Sequence, residues 1–184
     1  MNLPNKLTVA RVCMIPFLIL VLQAGMSDAI DLSLQLARYI AVGIFVVAAV
    51  TDWLDGFIAR KLNLITDFGK FMDPLADKIL VMAAMVYMVV LGDISPWILI
   101  LIESREFIIA GVRMVAANKN IVIAAGFWGK AKTVTQMVMI PVVLLGIPHP
   151  AFDVAGIILI IAAVAFTIIS AIDYIWNNRQ VFKS

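Results

Sequence analysis

The chain has 184 residues, 64% of them hydrophobic and 14% charged, with a mean hydropathy of +1.06, against roughly 45–50% apolar and about 25% charged in soluble domains. At about 20 apolar residues per membrane-spanning helix, there is room for about six helices with short loops and for no sizeable soluble domain. A net charge of +2, one cysteine and one histidine argue against a strongly basic nucleic-acid binder, an internal disulfide, and a zinc or histidine-triad centre.

Long apolar runs broken by polar punctuation predict spans at Val9 to Ala24, Leu34 to Ala59, Phe71 to Leu91, Trp97 to Ala117, Lys132 to Gly146 and Val154 to Trp176. The first run has the outline of a signal peptide, with Ala24 near a possible cleavage site, but the residues before it carry motif character that argues for retention. The turns at Gly25 to Asp31, Gly92 to Pro96 and Gly146 to Asp153 are short and poor in Lys and Arg. His149, in Gly-Ile-Pro-His-Pro, belongs to the last of these turns, and Cys13 reads as a small apolar filler. With the N-terminus inside, 13 of the 14 Lys and Arg fall on or toward that side, and only Arg38 lies outside. The expectation is an all-α, polytopic integral membrane protein, a single domain over residues 1–184, in the cell inner (cytoplasmic) membrane with both termini facing the cytoplasm.

The second span is interrupted where it should stay apolar. Asp52-Trp-Leu-Asp55-Gly56-Phe-Ile-Ala59-Arg60 is followed after eight residues by Gly69-Lys-Phe-Met-Asp73-Pro-Leu-Ala-Asp77. A carboxylate at the centre of a membrane helix costs about 2.5–3.5 kcal/mol on insertion scales, so its default reading is functional. Asp52 and Asp55 are three residues apart and Asp73 and Asp77 four, so each pair shares a helix face. An antiparallel hairpin through a loop at Lys61 to Phe68 would bring the pairs together. Four carboxylates that close need protons or cations between them. With no histidine or cysteine partner, the hard oxygen donors suit one or two Mg²⁺, Mn²⁺ or Ca²⁺ ions. Gly56, Ala59 and Gly69, each one turn from a carboxylate, leave room for a ligand or for close helix packing. Asp67, Lys61 and Lys70 read as a solvated loop.

Such carboxylates could serve a cation transporter or metal-assisted phosphoryl chemistry. The second use requires cations for anionic substrates, and Arg60, Arg105, Arg113, Lys130 and Lys132 supply them. Arg105 and Arg113 lie about two turns apart and can share a broad face, although Arg105 can also pair with Glu106 or Glu103. Gly126 and Gly129 are too close together for a nucleotide-triphosphate loop, so ATP is not indicated.

The pattern D-x-x-D-G-x-x-A-R-x8-G-x3-D-x3-D, filled at every defined position from Asp52 to Asp77, resembles the signature of the CDP-alcohol phosphotransferase family, and the six-span layout is similar to that family's fold. The resemblance implies transfer of a phosphatidyl group from CDP-diacylglycerol to an alcohol with release of CMP. It makes Asp52, Asp55 and Asp73 metal ligands for Mg²⁺ or Mn²⁺, and Asp77 the general base that also reaches a metal. Gly56, Ala59, Gly69 and Arg60 fall at the CDP-diacylglycerol site. Leu3-Pro-Asn5-Lys-Leu-Thr8-Val-Ala-Arg11 resembles the N-terminal segment of the family members that use glycerol 3-phosphate. It adds Asn5, Thr8 and Arg11 to that site, although Asn5 also suits a helix N-cap. Ser104-Arg105-Glu106-Phe107 with Arg113, and Gly129-Lys130-Ala-Lys132-Thr-Val-Thr-Gln136, resemble the same members and imply glycerol-3-phosphate binding by Arg105, Arg113, Lys130 and Lys132. The implied product is phosphatidylglycerophosphate and the implied assembly a homodimer. Inositol phosphate, serine and phosphatidylglycerol remain alternative acceptors.

Overall fold

The computed structural model describes residues 3–27, 29–62, 67–119, 121, 123 and 126–179, with side chains described outside 3–6, 53–62 and 67–71. The described residues form six helices and no strand: α1 (Leu3–Gly25), α2 (Leu34–Leu62), α3 (Asp67–Val90), α4 (Pro96–Asn118), α5 (Phe127–Leu144) and α6 (Pro150–Asn177). Leu7–Gly25, Leu34–Asp52 and Pro150–Asn177 are long and apolar enough to cross a membrane. On α6 the outward residues Ile157, Ile158, Ile161, Ile168 and Ile172 are exposed, a pattern that suits lipid contact and not water.

The helices outrun the predicted spans at the polar ends. Hydropathy ends where the apolar run ends, whereas the backbone hydrogen-bond ladder continues through Lys61, Asp67 and Lys70. The predicted loop at Lys61 to Phe68 is therefore helical at both ends. Asn5 likewise lies inside α1, which begins at Leu3, and is not its N-cap.

Two compact units are present. The first comprises residues 1–93 with 143–147, and in it α1 packs on α2 and α3. The buried face of α1 runs Thr8, Arg11, Ile15, Leu18, Leu22, alternating steps of three and four as a helix seam requires. Ala37, Ala41, Phe45 and Ala48 provide the α2 face, and Ala76, Leu80, Ala84 and Met88 the α3 face. Small residues set the spacing: a Cβ on Gly25 would collide with that of Ala37, so α1 and α2 meet closely beside their connecting turn. At this end Arg38 is buried, donating to Asp93 at 3.0 Å and to the Leu144 carbonyl at 3.4 Å. Cys13 is exposed, along an apolar groove between α1 and α2.

The second unit holds residues 94–142 and 148–184. Here α4 packs on α6, with Ile109, Val112 and Tyr174 in a small core. Both helices start on side-chain caps followed by proline. Ser95 Oγ accepts from the Trp97 amide at 3.4 Å, and His149 Nδ1 accepts from the Ala151 amide at 3.2 Å. The lone histidine is thus a helix cap.

Candidate active site

In the first unit the apolar seams turn polar at one end. Asp52 follows Ala48 by one turn of α2, while Asp73 and Asp77 each precede a buried residue of α3, Ala76 and Leu80, by three positions. Thr8 and Arg11 continue the α1 seam past Ile15. Pro74 lies inside α3 directly after Asp73, removing one amide donor from the ladder there.

These polar residues bond to one another. The Arg11 guanidinium, fully buried, pairs with Asp52 Oδ1 at 2.5 Å, and the Asp52 side chain is 37% exposed. The Thr8 hydroxyl donates to Asp73 Oδ1 at 2.6 Å. Helix α1 therefore supplies one donor to α2 and one to α3 from positions three residues apart, which share a face. Asp52 and Asp73 lie within electrostatic reach of each other. The buried guanidinium and the hydroxyl offset a repulsion that would otherwise open the helices. Asp77 is half-buried one turn further along α3.

Thr8 and Arg11 thus stand on the carboxylates of the acidic motif. The backbones of Asp55, Gly56, Ala59 and Arg60 lie in α2, that of Gly69 in α3 and that of Asn5 in α1; their side chains lie outside the described residues. Among the described residues no three acidic, histidine or cysteine side chains gather into a ligand set, and Asp55 is not among those side chains.

The second unit contains a cavity of about 500 Å³ lined by Arg105, Arg113, Lys130, Ser170, Asp173 and Tyr174, within the size range of small-molecule sites. Arg105 Nη1 donates to Glu106 Oε1 at 2.7 Å, and Lys132 Nζ donates to the same oxygen at 2.9 Å. Arg113 Nε donates to the Tyr174 hydroxyl at 3.3 Å, and its guanidinium lies 5.7 Å from the centre of that ring. Gly126 and Gly129 form part of the wall. A Cβ on Gly129 would sit 3.5 Å from Arg105 Nη2, so the missing side chain keeps the guanidinium accessible.

Of the four cations expected to bind a phosphate, the structure brings Arg105, Arg113 and Lys130 to one cavity. Lys132 is 3% exposed and lies against Glu106, because a buried ammonium needs a carboxylate more than a distant ligand. Sequence reasoning missed the α6 wall. Ser170, Asp173 and Tyr174 stand at i, i+3 and i+4, the spacing of one helix face, and Asp173 directly follows the charge-free run Val154 to Ile172; that was the available signal.

A profile of the CDP-alcohol phosphatidyltransferase family matches residues 1–169. The chain belongs to that family. Similar curated proteins span nearly its whole length. The CDP-diacylglycerol--glycerol-3-phosphate 3-phosphatidyltransferase of Bacillus subtilis (strain 168) is 41% identical, with 100% of this chain and 98% of the relative covered. The protein of the same name from Haemophilus influenzae is 39% identical over 95% of this chain and 91% of the relative. The probable phosphatidylglycerophosphate synthase of Mycobacterium tuberculosis (strain ATCC 25618 / H37Rv) is 36% identical over 95% and 80%. The family match takes in Asp52 to Asp77 and the cavity residues Arg105, Arg113 and Lys130, and it ends one residue before Ser170.

Proposed function

We propose that this CDP-alcohol phosphatidyltransferase transfers the phosphatidyl group of CDP-diacylglycerol to glycerol 3-phosphate, giving phosphatidylglycerophosphate and CMP. The observation that carries the acceptor assignment is the cavity with Arg105, Arg113 and Lys130 in its wall. Three cations favour a phosphate monoester dianion over serine, which has no phosphate, and over phosphatidylglycerol, whose diester carries one charge. Inositol phosphate shares the dianion; the names of the relatives favour glycerol 3-phosphate.

Asp52, Asp55, Asp73 and Asp77 offer only hard oxygen donors, a set that fits Mg²⁺ or Mn²⁺. A divalent ion there would neutralise the charge of the diphosphate and of the departing CMP. Thr8 and Arg11 hold Asp73 and Asp52 in place and, with Asn5, Arg60, Gly56, Ala59 and Gly69, form the CDP-diacylglycerol site. Asp77 takes the proton of the attacking acceptor hydroxyl. That oxygen bonds to the phosphorus bearing the diacylglycerol, and the bond from this phosphorus to the bridging oxygen of CMP breaks. Arg105, Arg113 and Lys130 bind the acceptor's phosphate, which does not react.

The single-domain reading accords with a family match running through both compact units. The proposal includes six crossings, both termini and the site on the cytoplasmic side of the inner membrane, and a homodimer. The deciding experiment is CMP release from CDP-diacylglycerol by the purified protein, with each acceptor in turn, with and without chelator, and with the lipid identified by mass. Release that needs both a divalent metal and glycerol 3-phosphate is expected. Release with inositol phosphate or serine alone would overturn the acceptor, and no release with any acceptor would overturn the reaction and return the aspartates to ion transport.

A further inference from the structure

The acceptor cavity contains a group that phosphate binding does not require. Asp173, on α6, lines the same space as Arg105, Arg113 and Lys130, and a carboxylate there repels a phosphate dianion. Among the described residues it takes no part in the ion pairs of the unit: Glu106 serves Arg105 and Lys132, and Arg113 is held by Tyr174. Asp173 Oδ1 accepts from Asn177 Nδ2 at 2.9 Å. Its other oxygen accepts no hydrogen bond from a described residue and faces Gly126, where an added Cβ would stand 3.4 Å away.

We propose that Asp173 accepts a hydrogen bond from the secondary hydroxyl of the acceptor, the hydroxyl beside the phosphate-bearing carbon, and so selects a polyol phosphate over a simple hydroxyalkyl phosphate. The proposal rests on the acceptor reading above and adds its specificity determinant. The neighbouring groups divide the donors and acceptors accordingly. Tyr174 accepts from Arg113, which leaves its own proton for the phosphate. Ser170 donates to the Thr167 carbonyl at 3.0 Å, which leaves its oxygen as an acceptor. A phosphate against Arg113 and Tyr174 puts the adjacent carbon and its hydroxyl beside residue 173 of the same helix face. Only a ligand that combines an anion with a hydroxyl donor satisfies both walls.

The test compares glycerol 3-phosphate with hydroxypropyl phosphate, which has the same phosphate and primary hydroxyl but no secondary hydroxyl, by CMP release at saturating CDP-diacylglycerol. The native protein should prefer glycerol 3-phosphate by about 10–100-fold in kcat/KM, as expected for a hydrogen bond to a charged group. Asp173→Ala should reduce that preference to about threefold or less, while competitive inhibition by inorganic phosphate stays unchanged, showing that the cations remain in place. Asp173→Asn, whose amide oxygen still accepts, should retain part of the preference and covers the case in which the alanine variant does not fold. Equal losses on both acceptors in the variants, or no preference in the native protein, would overturn the proposal. Absence of CMP release with glycerol 3-phosphate in the native protein would instead overturn the acceptor reading beneath it.

Discussion

Glu106 is the hinge of the cationic cavity's electrostatics, and its removal separates stability from binding. One oxygen of Glu106 holds Arg105 at 2.7 Å and Lys132 at 2.9 Å, and Lys132 is 3% exposed. Glu106→Ala leaves the ammonium buried without this carboxylate, a change that costs about 3–5 kcal/mol when one member of a buried pair is deleted. For a chain of this length each kcal/mol moves the melting temperature by about 2–4 °C, so the apparent Tm in detergent should fall by about 6–20 °C. Replacing both residues, as Glu106→Gln with Lys132→Met, removes the buried ammonium and leaves Arg105 a neutral acceptor. Most of the lost stability should return, because the penalty belongs to the unpaired charge and not to the missing contact. The KM for glycerol 3-phosphate should stay about three- to tenfold above native, since a neutral amide oxygen holds the guanidinium less strongly than a carboxylate does. Tryptophan-fluorescence melting and steady-state CMP release measure the two quantities. A Glu106→Ala protein that melts with the native one, or a double variant as unstable as the single, would refute this account of the pair.

Other substitutions probe the remaining contacts. Asp73→Asn keeps an oxygen for the Thr8 hydroxyl but loses the anion, so CMP release should fall at least about 100-fold and its stimulation by Mn²⁺ should weaken; activity within tenfold of native would exclude a metal-ligand role. Arg113→Ala should raise the KM for glycerol 3-phosphate about 10-fold or more while the KM for CDP-diacylglycerol stays constant, and equal changes in both would reassign the arginine to the fold or to the nucleotide. Gly146 has φ +54° and its Cβ would strike the Arg38 guanidinium, so Gly146→Ala should cost about 1–3 kcal/mol of stability, read as a lower Tm with native turnover at low temperature.

The helices and their order were legible because bilayer length imposes long apolar runs, and each run became one helix within a few residues of its predicted core. What hydropathy misjudged has one physical cause. Among the described residues only α1, α2 and α6 hold stretches apolar and charge-poor enough to cross a membrane. The remaining three are disqualified by their charges. Those of α3 include Asp73 and Asp77, those of α4 include Arg105, Glu106 and Arg113, and those of α5 include Lys130 and Lys132. A carboxylate or guanidinium on an inward seam lowers the mean hydropathy as much as one facing lipid, because the average carries no direction. Each of these three helices therefore supplies charged residues to one of the two polar clusters.

Direction also explains which parts of the candidate site could be read in advance. Spacing identifies residues that share a face, and on that ground Arg105 and Arg113 form a group, whereas Asn5, Thr8 and Arg11 come together through the N-terminal resemblance. It does not identify what stands opposite. The resemblance assigns Thr8 and Arg11 to the CDP-diacylglycerol site, and their contacts in the structure are with Asp73 and Asp52. Lys130 and Lys132 differ by two positions, about 200° around a helix, so they cannot both face one cavity, and burial decides which of them turns inward. The same angular reasoning applied to Ser170, Asp173 and Tyr174 would have marked the α6 face. A lone carboxylate at the end of a clean span attracts no notice until three cations are found beside it, and only then does its charge demand a partner with a proton to share.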